Sequence, residues 1–354
     1  MPTKNWMRRL SLLLPAAAAL SLWFASDALA QSAAGRGSLP RDLAIASDRP
    51  GGGANVIASG LSAIVTKYTP MRGVVKPVGD VTAWINLMEQ KEVDMGVTAM
   101  TSLGDAYYGR ATFKEPRPAY RLVQLGTPQT WAILVPDKEK IETPAELKAY
   151  LKGKRFSHRW ANPVIDQYNR AAFANLGMTE ADIVPVPSAT YDQYAAAWSE
   201  GRLAASGGTI GVGIFEQMHQ ARPFRFVSLD PSAEAVQRMR AVEPSTYLSR
   251  QEPGPRGVVK AIDTLTYDYG FVVRTDIGSD AVYEVVKALW EHQPELAAIH
   301  PLLKNWVPAE KRWVNPTAIL PYHAGAIRFY REKGLWTAEM EALQNKLLAQ
   351  TPKR

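Results

Sequence analysis

The chain has 354 residues, a formal net charge of +7 and no cysteine. Without cysteine, disulfides, thiolate metal sites and cysteine nucleophiles are all excluded, and Lys and Arg interspersed with Asp and Glu mark no nucleic-acid face. This length exceeds what one hydrophobic core usually serves, so two lobes of roughly 100 to 200 residues are expected, with a binding site between them.

Residues 1–30 read as a secretory signal peptide. Lys4, Arg8 and Arg9 precede an apolar run from Leu10 to Ala25, and Ala28-Leu29-Ala30 supplies a small-x-small cleavage site. The run carries Pro15 and falls short of the roughly 18 to 20 residues a membrane span requires. Cleavage after Ala30 removes Lys4, Arg8, Arg9 and Asp27, three cations and one anion, so the charge of +7 falls by two to +5. The expected product is a soluble periplasmic chain whose residues 31–41, small, polar and Gly-rich, form a linker.

From residue 42 strand and helix periods alternate. Leu43 to Ala46 is a predicted strand, Ser47 to Gly53 a glycine-rich turn, and Asn55 to Lys67 a helix. Val74 to Val78 and Met95 to Thr98 are further strands around a helix from Val81 to Lys91, a spacing that argues for parallel βαβ units. Tyr120 to Gly126 and Trp131 to Val135 read as two strands separated by Thr127-Pro128-Gln129-Thr130, where the chain first crosses between lobes. The grammar then repeats: a helix from Thr143-Pro144 to Leu151, a strand Arg155 to Ser157, a helix Asp166 to Leu176, a strand Ile183 to Val186 and a helix Tyr191 to Glu200. A second crossing falls near Tyr267 to Val273, after which the chain is mostly helical. The expected lobes are 42–127 with 270–354, and 128–269.

Two loops carry candidate chemistry. Ser47-Asp48-Arg49-Pro50-Gly51-Gly52-Gly53-Ala54-Asn55 lies between a strand and a helix, where glycines let helix-start N–H groups point at an anion. Ser157-His158-Arg159-Trp160-Ala161-Asn162-Pro163 holds the equivalent place in the second half, with Arg159 suited to pair a carboxylate and Trp160 to form a flat wall. If both halves share one topology, these loops face each other across a cleft. Gly207-Gly208-Thr209-Ile210-Gly211-Val212-Gly213 fails the dinucleotide fingerprint on spacing and reads as a cleft-side loop. The histidines 158, 219, 292, 300 and 323 form no His-x-x-x-His pair, and no Gly-x-Ser-x-Gly elbow exists, so neither a metal, a cofactor nor a catalytic residue is expected.

Several segments together resemble the TAXI family of solute receptors, the extracytoplasmic subunits of TRAP transporters. They are the glycine turn at 47–55, Gly79 with the helix after it, and Glu92-Val93-Asp94-Met95-Gly96-Val97. They include Thr143-Pro144-Ala145-Glu146-Leu147-Lys148 leading to Lys152-Gly153-Lys154-Arg155, then Tyr267-Asp268-Tyr269-Gly270, and finally the run from Pro321-Tyr322-His323 to Lys333-Gly334. His323 in this last run is read as structural, beside the close packing of Ala324-Gly325-Ala326. The resemblance implies a type II periplasmic-binding-protein fold, two α/β lobes joined by crossing strands that close over a small organic acid or amino acid. It implies no enzyme activity.

The cleft is expected to be lined by Ser47, Gly52, Gly53, Asn55, Gly79, Asp80, Thr98, Met100 and Trp131. From the second half it should receive Ser157, His158, Arg159, Trp160, Asn162, Gly208 and Thr209. Departures from the family lie at Ala54-Asn55, at Gly79-Asp80-Val81-Thr82-Ala83 and at the loop 157–162, which leaves the fold implied but not the ligand. The expected partners of this monomer are a small anionic ligand and a TRAP-type membrane permease. A sensor subunit serving a signalling partner and an enzyme using the cleft stay open as alternatives.

Overall fold

A computed structural model describes residues 39–48, 50, 53–79, 81–160, 163–306 and 312–353. The expected signal peptide, most of the linker, and Gly52, Asp80 and Asn162 lie outside the described residues.

The first half builds β1 (Asp42–Asp48), α1 (Gly53–Tyr68), β2 (Arg72–Gly79), α2 (Val81–Glu89), β3 (Met95–Ala99) and α3 (Met100–Tyr108). Strands β1 and β2 pair in parallel from Asp42 against Arg72 to Asp48 against Gly79, and β1 also pairs in parallel with β3. Leu43, Ile45 and Ala46 are fully buried in β1, as expected of a parallel strand covered by helices on both faces.

Strand β4 (Tyr120–Pro136) is a single 17-residue strand, where the sequence suggests two. Pro128 does not break it because the partner strand shifts register there: Asp268 faces Pro128, and Gly270 faces Leu125. That partner, β10 (Ile262–Arg274), runs antiparallel to β4 and also to β3.

Between these two strands the chain forms α4 (Pro144–Leu151), β5 (Arg155–Trp160), α5 (Pro163–Asn175), β6 (Val184–Ser188), α6 (Tyr191–Ser199) and β7 (Ser206–Thr209). It continues through α7 (Ile214–Ala221), β8 (Phe224–Val227), α8 (Ala233–Val242) and β9 (Tyr247–Gln251). The stretch read from sequence as a cleft-side loop therefore opens as strand β7, which pairs with β4 through Gly207 against Ile133 and Gly208 against Ala132. After β10 come α9 (Ser279–Glu291), α10 (Gln293–Ile299), α11 (Ala324–Glu332) and α12 (Ala338–Ala349).

The two halves repeat one strand order. In the first, β2, β1, β3, β10 and β4 are neighbours in turn. In the second, β6 pairs with β5, β5 meets the chain entering β7 through a Phe156–Ala205 bridge, and β7 pairs with β4, which pairs with β10. The first half thus carries three strands of its own and the second five, since β8 also pairs with β4 and β9 with β10. Two separate buried clusters follow: one draws on residues from Leu43 to Leu125 and from Phe271 to Met340, the other on residues from Trp131 to Tyr267. Among the described residues no helix is long and apolar enough to cross a membrane.

The crossing region is tightly filled. A Cβ added at Gly126 in β4 would stand 2.1 Å from the Trp306 ring. Gly126→Ala should therefore overpack this point and lower stability by about 1 to 3 kcal/mol, read as a fall in melting temperature. Asp268 of β10 is 4% exposed and accepts a hydrogen bond from the Tyr247 hydroxyl at 2.9 Å. Burial pushes its carboxyl up to about 6, against the opposing pull of Tyr247 and Arg312. The folded chain consequently binds more protons than the unfolded one between about pH 4 and 6, so stability falls as pH rises through that window. Asp268→Asn is expected to be more stable than the parent by about 1 to 3 kcal/mol above pH 7, with the difference vanishing near pH 4 in denaturant titrations.

Candidate functional site

The C-terminal ends of β1 and β5 approach the same space. A Cβ on Gly53, the first residue of α1, would come within 3.4 Å of Tyr269 Oη on β10. Burial, and after it the charges of Tyr267, Asp48 and Tyr191, raise the pKa of Tyr269. Tyr191 in turn stands 5.5 Å, centroid to centroid, from Trp160 at the end of β5.

The glycine turn keeps part of its own binding capacity. Asn55 N donates to Asp48 Oδ1 at 2.7 Å, and Asn55 Nδ2 donates to Ser47 Oγ at 3.0 Å. A helix-start donor that sequence reasoning assigns to a ligand is thus satisfied by the chain's own carboxylate.

The second loop does the same with a different geometry. Arg159 sits at φ +65, in the left-handed region, where β5 bulges between Ser157 and Trp160. Such a conformation costs a non-glycine residue about 1 to 2 kcal/mol and persists only when its surroundings enforce it. Here Asp166, in the first turn of α5, accepts from Arg159 N and from Trp160 N, both at 2.9 Å. The bulge leaves the Arg159 side chain exposed and turns Trp160 inward, to 8% exposure.

His158 braces this turn. It is 2% exposed, with Nε2 2.9 Å from Glu180 Oε2 and Nδ1 2.9 Å from Asp166 Oδ1, the latter at ion-pair distance without hydrogen-bond alignment. Burial lowers its pKa, and the two carboxylates raise it by more, so the net shift is upward. Glu180 also receives Arg170 Nε at 2.9 Å.

Trp131, Trp160, Gly208 and Thr209, four residues singled out in the sequence, meet at one cavity of about 10 Å³. Ile165, Tyr191, Tyr194, Gly207, Val212 and Phe215 complete its wall. Three helices begin there: α5 through Ile165, α6 through Tyr191 and α7 through Phe215, so three positive dipole ends converge. The indole N–H groups of Trp131 and Trp160 are buried without an acceptor, and the Tyr194 hydroxyl lies beside Ser206 without a formed hydrogen bond. Gly208 is required by close approach, since a Cβ there would stand 2.1 Å from the Phe215 ring. The Thr209 hydroxyl lies 3.3 Å from Tyr267 Oη, and Tyr267 stacks on Tyr168 at 4.3 Å.

The remaining sequence-predicted residues lie elsewhere. Ser157 is buried, 3.3 Å from Ser188 Oγ, and Met100 fills the core against Gly270. Thr98 pairs with Gly270, and Gly79 ends β2 opposite Asp48. Tyr191, Tyr194 and Phe215 were missed because they read as one apolar face of ordinary amphipathic helices. The N-cap Thr190, whose hydroxyl accepts from Gln193 N at 3.3 Å, is the signal that could have marked a helix start at a strand end. Among the described residues no cluster of three or more His, Asp or Glu is arranged to hold a metal ion.

This architecture is the mixed α/β, two-lobed fold of periplasmic solute-binding proteins. A TctC solute-binding protein from Polaromonas superposes with a TM-score of 0.51 at 15% identity, covering 89% of this chain and 100% of that one. PhnD1 from Prochlorococcus marinus, solved with methylphosphonate, gives 0.49 at 12% identity over 84% and 97% of the two chains. The sulfonate-binding protein SsuA from Methylobacillus flagellatus gives 0.48 at 15% over 89% and 90%. Residues 50–334 match the NMT1-like family, and the chain belongs to that family. Comparison with curated protein sequences gives no match.

The brace at His158 has a pH signature. Because its folded pKa is raised above the ordinary 6.5, its contribution is complete below that value and is lost as pH rises through the folded pKa. The melting temperature of His158→Gln should fall furthest below the parent near pH 5.5, with the gap closing toward pH 9. A gap independent of pH would reduce His158 to packing alone.

Proposed function

We propose that this chain is a periplasmic solute receptor of the TAXI kind, exported by cleavage after Ala30, which captures a small organic anion and delivers it to a TRAP-type membrane permease. The lobes are taken as 42–127 with 270–354, and 128–269. The proposal relies on one observation above the others: buried donors with no acceptor, Trp131 Nε1 and Trp160 Nε1, belong to a cavity at which three helix N-termini converge. Indole nitrogens can only donate, so the complementary group carries acceptor oxygens, as a carboxylate does. Among the described residues no charged side chain lines this cavity, and helix dipoles with neutral donors provide the field that favours an anion.

A volume of about 10 Å³ holds no more than one water. Every residue of its wall belongs to 128–269, so the cavity is the second half's share of the site, and an organic solute reaches it only when this wall opens, the first half then covering it on closure. Binding that adds contacts only in the closed arrangement shifts the population toward it, and a permease can read that shape.

The purified protein, examined by native mass spectrometry and by thermal shift against carboxylates, sulfonates and phosphonates, should be stabilised by a subset of them. For a stabilising compound, Trp131→Phe, which keeps the ring and removes the N–H, should weaken binding by about 1 to 3 kcal/mol. Trp160→Ala should weaken it at least as much, while Arg159→Ala, altering an exposed side chain, should change affinity little. Full affinity in both tryptophan variants would remove this cavity from the binding site.

A further inference from the structure

A second contact joins the halves away from the cavity. Thr101 and Asp105 on α3 meet Gln167 and Tyr168 on α5, together with Glu243 and Ser245 in the turn after α8. Tyr168 Oη donates to Thr101 Oγ1 at 3.1 Å, and Thr101 Oγ1 lies 3.1 Å from Ser245 Oγ. The side-chain nitrogen of Gln167 donates in two directions: to Glu243 Oε2, and to Asp105 Oδ1 at 3.5 Å. Glu243 is 0% exposed and Asp105 is 3% exposed. One amide nitrogen thus holds two buried carboxylates that belong to opposite halves.

The surroundings do not neutralise both. Glu243 Oε1 accepts from Ser245 N at 3.0 Å and from Ser245 Oγ at 2.5 Å, which are uncharged partners. Among the described residues Arg110 is the one cation acting on both carboxyls, 3.5 Å from Asp105 Oδ1, yet its Nε and Nη2 remain buried without a hydrogen bond. Tyr120, near Asp105, and Tyr168, near Glu243, are fully buried phenols with pKa values well above the ordinary range, and add no charge at neutral pH. Burial raises both carboxyls, Arg110 and the hydrogen bonds oppose that rise, and for Glu243 the neighbouring Asp105 adds to it.

We propose that closure of the two halves takes up one proton, held within the pair formed by Asp105 on one side and Glu243 on the other. This rests on the reading of the molecule as two lobes that open and close. When the lobes part, each carboxyl regains water and ionises in its ordinary range; when they meet, two ionised groups would share one donor in a dry contact. Tyr168 connects the pair to the solute cavity, because its ring stacks on Tyr267 and lies 5.4 Å from Trp131. Solute capture therefore tightens as pH falls, and release is favoured where pH is higher.

The chain has no cysteine, so spin labels can be placed at will. Labels on Ala63→Cys in α1 and Gln217→Cys in α7, both exposed, report the distance between the halves by pulsed electron resonance. Without added solute, the short-distance population should grow relative to the long one as pH falls from 8 to 5.5, by up to about tenfold per pH unit for one coupled proton. Asp105→Asn with Glu243→Gln should abolish that dependence. Each single variant, should the double one not fold, should reduce it. Two populations whose ratio ignores pH in the unaltered pair would overturn the proton coupling and leave the lobe reading standing. One invariant distance at every pH would overturn both.

Discussion

Two long strands belong to both halves of this molecule. Strand β4 pairs with β10 from Tyr120 against Arg274 to Trp131 against Leu265, and each contributes to both buried clusters. The other strands are attached to that ribbon: β3, β1 and β2 on one side of it, β7, β5 and β6 on the other, with β8 on β4, β9 on β10, and the register shift at Pro128 and Asp268 lying between. The register shift interrupts the ladder between the two cores, leaving Gly126 and Thr127 without a register partner on β10.

Within that frame the chain spends its own carboxylates on its helix starts. Asp48 accepts from the amide of Asn55, and Asp166 from those of Arg159 and Trp160. Each acid stabilises a loop that would otherwise offer donors to solvent, and each reduces what the loop can offer a ligand. The donors left over are the indoles of Trp131 and Trp160, on an aromatic wall where desolvation strengthens any hydrogen bond they form.

Much of this was legible in the sequence, and what was not has physical reasons. The alternation of strand and helix periods identified the βαβ units; of the four predicted residues that share one cavity wall, Trp160 and Thr209 end strands β5 and β7, whereas Trp131 lies inside β4. The unity of β4 was hidden by Pro128, whose tolerance depends on a partner strand almost 140 residues away. His158 and Arg159 looked like ligand groups, but their directions are set by a bulge that only Asp166, several residues further on, makes affordable. Tyr191 and Phe215 carried no local mark, since amphipathic periodicity says which face is buried and not what it is buried against.

The second half is spliced into the first at a single place. Leu125 and Gly270 lie directly opposite each other on adjacent antiparallel strands, so the intervening chain leaves and returns at one spot. A short turn linking those two positions would preserve every strand neighbour of β1, β2 and β3. The architecture is therefore modular in the sense used for inserted domains: one half is topologically excisable, and exchanging it for a counterpart would graft a different solute wall onto an unchanged base.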